Sequence, residues 1–93
     1  EGLKSKYQRA IQQKVERNWI KPPGISGNYG CDVKVRQIPS GDVIDVEVRG
    51  CRGGSDALRR SVEAAVRRAS PLPSAPDPGV FEPEITIFFR PEG

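Results

Sequence analysis

Apolar residues recur at three- and four-residue spacing in two stretches of the chain and alternate with polar residues in three others. The first helical stripe is Leu3, Tyr7, Ala10, Ile11 and Val15, set among Lys4, Lys6, Gln8, Arg9, Gln12, Gln13, Lys14, Glu16 and Arg17. Pro22-Pro23-Gly24 forbids its continuation. Trp19 falls just before that break and is expected to fold back as a core anchor, a large apolar plug over one end of the core. After a loop over 24–30, Cys31, Val33 and Val35 alternate with Asp32, Lys34 and Arg36. Ile44, Val46 and Val48 then alternate with Asp45, Glu47 and Arg49. Both runs predict strands with one buried and one wet face. Pro39-Ser40-Gly41-Asp42 between them is hairpin-turn chemistry. A turn centred on Ser40-Gly41 pairs Val35 with Val46 and Val33 with Val48, so the apolar faces coincide.

Gly53-Gly54-Ser55-Asp56 ends the hairpin and offers a helix N-cap. Leu58, Val62, Ala65, Val66 and Ala69 form the second helical stripe, with Arg59, Arg60, Glu63, Arg67 and Arg68 on the opposite face. Pro71, Pro73, Pro76, Pro78 and Pro83 make the next stretch an extended connector. The chain closes on Glu84-Ile85-Thr86-Ile87-Phe88-Phe89-Arg90, rich in β-formers and framed by Pro83 and Pro91. Ile85, Ile87 and Phe89 share one face of this strand, and Thr86, Phe88 and Arg90 the other.

The order α-β-β-α-β predicts an α+β domain. The hairpin makes the first two strands antiparallel. The second helix returns the chain, so the closing strand pairs antiparallel with the first, giving sheet order 2-1-3 with both helices on one face. Both outer strands are edges. Asp42, Asp45, Glu47 and Arg49 guard the second strand against unwanted pairing, whereas the closing strand carries few such charges. Residues Ile85, Thr86, Ile87, Phe88, Phe89 and Arg90 are therefore the expected site for a strand added from a partner. The connector folding over this edge, or self-pairing into dimers, are the alternatives.

Ninety-three residues fit one domain, 1–93. The charged fraction of 29% with mixed signs argues against disorder, and a net charge of +3 suits an ordinary wet surface. The chain has no Met and is expected to be a domain excised from a longer protein, or else a processed product. It contains no run of eighteen apolar residues. It also has no His, which removes the commonest general base and metal ligand. Ser26, Ser40, Ser55, Ser61 and Ser70 thus lack a histidine partner, and two cysteines are too few for zinc. Asp45 and Glu47 read as a charged strand face opposite Lys34 and Arg36 rather than as a catalytic pair. No cofactor, catalytic or metal site is expected, and the chain reads as a binding module. A small basic nucleic-acid module is the rival, needing Arg59, Arg60, Arg67 and Arg68 to act together with Tyr29 or Phe88.

Four segments carry a family resemblance. Lys14-Val15-Glu16-Arg17-Asn18-Trp19-Ile20-Lys21-Pro22-Pro23-Gly24 resembles the first-helix exit of TolA C-terminal domains, within the broader TonB/TolA group. Ile38-Pro39-Ser40-Gly41-Asp42-Val43 resembles that group's hairpin turn, and Ser70-Pro71-Leu72-Pro73 its segment after the second helix. Ile85-Thr86-Ile87-Phe88-Phe89-Arg90-Pro91-Glu92 resembles its closing strand. The resemblance implies a periplasmic domain of a Gram-negative bacterium, hung from an inner-membrane helix through a helical stalk and driven through TolQ and TolR. It implies binding to TolB, and through it to Pal, in envelope integrity and division. Use by colicins and by a filamentous phage coat protein is implied too. A TonB-type role with outer-membrane transporters is the alternative within the group. The exported setting also permits a disulfide between Cys31 and Cys51, which sit at the open end of the hairpin; two free thiols are the alternative. The hairpin register leaves Cys31 opposite Gly50, so the bond requires a bulge at Gly50.

Overall fold

The computed structural model describes residues 2–24, 28–53 and 56–90. Helix α1 (Leu3–Arg17) is followed by strands β1 (Gly30–Gln37) and β2 (Val43–Arg52), helix α2 (Asp56–Arg68), a single 3-10 turn (Pro78–Val80) and strand β3 (Glu84–Phe89). The strands form one antiparallel sheet ordered β2-β1-β3, the predicted arrangement. α2 lies against β2 and β1, and α1 packs on α2 and β3. The layer between is filled by Tyr7, Ile11 and Val15 from α1, the whole predicted stripe of α2, and the inward residues of β1 and β3. Each buried Val, Leu, Ile or Phe among them contributes roughly 1.5–3 kcal/mol by leaving water. Leu3 of the first stripe is exposed, and Ala10 is half-buried, so the core uses the middle turns of α1. The predicted cap segment at residues 54 and 55 lies outside the described residues.

The hairpin register pairs Val33 with Val48 and Val35 with Val46, as the alternation predicts. β2 nevertheless departs from simple alternation twice. Between the pairs Gly30–Arg52 and Asp32–Arg49, β2 has one residue more than β1. Gly50 takes a positive φ of 64°, which a bulge requires and glycine adopts without strain. The second extra residue falls between the pairs Arg36–Asp45 and Gln37–Val43. It turns Ile44 outward to 56% exposure and half-buries Val43 against the core in its place. The expectation that Ile44 shares the buried face with Val46 and Val48 is thus corrected.

The cause of the second bulge lies in the connector. Leu72 is buried, and its N–H donates to the Gly41 carbonyl at 2.8 Å, while Ser70 Oγ accepts from the Val43 N–H at 3.0 Å. The hairpin turn and the Ser70-Pro71-Leu72-Pro73 segment, separate in sequence, are one clamp; the Ser70–Pro71 peptide is cis. Gly41 has φ of 94°, and a Cβ there would overlap the Leu72 carbonyl, so this turn accepts no larger residue. The connector lies beside α1, where the Pro71 carbonyl accepts from Lys14 Nζ and Glu82 meets Lys4 and Gln8.

Candidate partner-binding edge

β3 pairs with β1 without a register shift over six consecutive positions, Cys31–Phe89 through Arg36–Glu84. The Gln37 N–H donates to the Pro83 carbonyl at 2.9 Å, which fixes the phase of the ladder. By antiparallel alternation, Ile85, Ile87 and Phe89 turn their backbone groups toward β1, and Glu84, Thr86 and Phe88 turn theirs outward. Side chains follow the same period: Ile85, Ile87 and Phe89 are buried, while Thr86 and Phe88 lie on the face away from the helices. The six predicted edge residues therefore divide. Three are core, and Thr86, Phe88 and Arg90, the last just beyond the end of β3, lie outside it. β3 is outermost in the sheet, with no strand among the described residues paired to its far side.

Phe88 is 41% exposed. The guanidinium carbons of Arg90 and Arg52 lie 5.2 and 5.6 Å from its ring centre. Asn28, Tyr29 and Gly30 complete a notch of about 260 Å³ around them. Arg52 was not among the sequence-derived site residues. Extending the hairpin register through the Gly50 bulge would have placed it opposite Gly30 and so beside the end of β3.

At the buried end of β3, the Trp19 ring meets Phe89 edge-on at 5.5 Å and Tyr29 at 5.9 Å. Its Nε1 donates to Ser61 Oγ at 2.9 Å. The ring is half-buried, bridging the exit of α1, the middle of α2 and the end of β3. Cys31 and Cys51 are joined by a disulfide across the Gly50 bulge, with Cys31 fully buried. Gln37 is also buried. Its Nε2 donates to Tyr7 Oη and the Glu82 carbonyl, both at 2.8 Å, tying α1 and the connector to the end of β1. No pattern in the sequence set Gln37 apart from a surface residue.

The arginines of α2 are occupied within the domain. Arg59 bridges Asp56 and Glu63, Arg60 meets Asp56, Arg67 meets Glu63, and Arg68 donates twice to the Asn18 carbonyl at the end of α1. The hydrogen-bonded Arg59 guanidinium holds the Asp56 carboxyl below its ordinary value. Phe88 lies on the opposite side of the sheet from α2, so the arginine and aromatic surface required for a nucleic-acid module is not assembled with Phe88. No helix among the described residues is long and apolar enough to cross a membrane.

No curated protein matches the chain. Among solved structures, TolAIII bound to a peptide derived from the N-terminus of TolB superposes with a TM-score of 0.81 at 21% identity, covering 100% of this chain and 78% of that one. The Helicobacter pylori TonB C-terminal domain superposes with a TM-score of 0.68 at 17% identity, covering 92% of each chain. These likenesses establish the fold. A profile of the TonB C-terminal family matches residues 4–89, nearly the whole chain. Sequence and architecture agree, and the chain belongs to the TonB C-terminal family.

Proposed function

We propose that this domain is the periplasmic, protein-binding end of an inner-membrane-anchored energy transducer of the TolA type, and that it takes partners by strand addition to β3. The observation that carries this reading is the outer edge of β3, to which no strand among the described residues pairs, with the backbone groups of Glu84, Thr86 and Phe88 turned outward. The proposed partner is the N-terminal segment of TolB, and through it Pal. The support is that the TolAIII structure sharing this fold is bound to such a peptide. TolQ and TolR would act through a membrane segment elsewhere in the protein, and phage coat protein and colicins would use the same domain as intruders. The disulfide suits an oxidising compartment outside the cytoplasm.

The family match and the Helicobacter pylori relative favour a second reading, a TonB-type domain that engages outer-membrane transporters. Titration with a TolB N-terminal peptide and, separately, with a transporter-derived peptide tests both. Under the first reading the TolB peptide binds, with the largest amide shifts at Thr86 and Phe88. Preference for the transporter peptide supports the TonB-type role. Shifts confined to the helices, with residues 85–90 unmoved, would refute strand addition whichever peptide binds.

A further inference from the structure

The notch at the end of β3 has a chemical character of its own. Phe88 and Arg52 stand on the two outer strands, and their contact crosses Gly30 on the strand between. A side chain at position 30 would fill that space, since a Cβ there would already lie 3.6 Å from Arg90 Cγ. The gap leaves two guanidinium groups over one aromatic ring. Lys4, Lys34, Arg49 and every arginine of α2 has an acidic or carbonyl partner. Among the described residues, no acid lies within ion-pair distance of Arg52 or Arg90. Asp32 is the acid on this end of the open face, opposite Phe88 in the ladder, and its Oδ2 lies over Gly50. At the other end of the same face stand Asp45 and Glu84, paired in register with Arg36 between them. The open face thus runs from mixed charge beside Glu84 to excess positive charge beside Arg90.

We propose that this notch receives a side-chain carboxylate from the strand that pairs with β3. The proposal rests on the edge-strand reading and adds the partner's chemistry to it. Planar guanidinium forks match a carboxylate, and the Phe88 ring limits water on one side of it. Backbone pairing along Thr86 and Phe88 accepts many sequences; an acid placed beside Arg90 would fix which register binds. An antiparallel strand would carry this acid near its N-terminal end, and a parallel strand near its C-terminal end.

The test uses the 93-residue domain and short strand-forming peptides with a single glutamate moved along the sequence, each with a glutamine twin. One glutamate position should bind about 10-fold tighter than its twin. That preference should disappear in Arg52→Gln and Arg90→Gln, survive in part in Arg90→Lys, and fade with added salt. Both arginines are exposed, so these variants should melt with the parent domain. Equal binding of the twins, with Thr86 and Phe88 amides still shifting, would overturn the notch proposal and leave strand addition standing. Absence of amide shifts with either peptide would overturn the edge itself. Anionic vesicles that shift the Arg52 and Arg90 side-chain signals as far as the glutamate peptide would make the notch a general anion site and defeat the peptide assignment.

Discussion

β2 and β3 flank the same central strand, yet β2 carries two residues more than its partner needs and β3 carries none. The surplus in β2 is absorbed by bulges at each end, one held by the disulfide and Gly50, the other by the clamp between Gly41, Val43, Ser70 and Leu72. Bulges twist a strand and interrupt the even spacing of its outward donors and acceptors. β2 therefore offers a poor template to a further strand, and α2 packs against it. β3 is short and regular, and among the described residues its backbone pairs along its inner side. The two rims of one sheet thus differ in backbone regularity as much as in charge.

The largest effect should come from the element that holds the irregular rim in place. Cys31→Ser with Cys51→Ser, or reduction, should lower stability by about 3 kcal/mol on loop-closure grounds. Denaturant midpoints of the oxidised and reduced domains measure it, and intact mass shows the gain of two hydrogen atoms on reduction. A change well below 1 kcal/mol would mean that the bulge at Gly50 stands without the bond.

Trp19 supports the other rim, through Phe89 at the buried end of β3. Because the ring is half-buried, Trp19→Ala should cost about 2–3 kcal/mol, at or below the low end for a fully buried aromatic. Trp19→Phe keeps a ring against Phe89 but loses the bond to Ser61, and should cost about 1 kcal/mol. A thermal melt unmoved by Trp19→Ala would show that the ring adds little to the core and is free for a role in binding.

Thr86→Pro tests the open rim directly. Its N–H points away from β1, so proline there removes an outward donor while leaving the inner ladder intact. Peptide affinity should fall about 10-fold or more, with a stability loss of about 1 kcal/mol. Ile87→Pro, whose N–H serves β1, should instead unfold β3. Retained affinity in Thr86→Pro would place the partner elsewhere.

Much of this contrast is legible in the sequence, but not all. Alternation in β1, β3 and the α2 stripe gives the sheet order and the core, because those residues obey one period without interruption. The Gly50 bulge is also legible, since Cys31 and Cys51 fall one position out of register and a glycine stands where the extra residue must go. The bulge at Ile44 is not. Ile44, Val46 and Val48 continue an unbroken alternation, and the force that turns Val43 inward comes from Ser70 and Leu72, far along the chain. Trp19 stands at the predicted helix exit, but its hydrogen bond to Ser61 depends on how α2 lies over the sheet. Arg52 is legible only after the Gly50 bulge is placed, since the shifted register then sets it opposite Gly30, across which it reaches Phe88.

The smallest expected effect separates charge from regularity as the guard of β2. The sequence expectation is that Asp42, Asp45, Glu47 and Arg49 keep strands off this rim. In the structure Glu47 and Arg49 pair with each other at 2.7 Å on an exposed face, a contact worth well under 1 kcal/mol. Glu47→Thr with Arg49→Thr should therefore change stability by less than about 0.5 kcal/mol. If the bulges are the guard, the double variant stays monomeric, and peptide shifts remain at Thr86 and Phe88. If the charges are the guard, their removal exposes a short threonine-rich edge between the bulges, where Val46 and Val48 already follow a regular register with β1. Dimerisation in a sedimentation run, or new amide shifts at residues 45–49 on adding peptide, would then appear. Either result would show that the rim is closed by electrostatics and only shaped by the bulges.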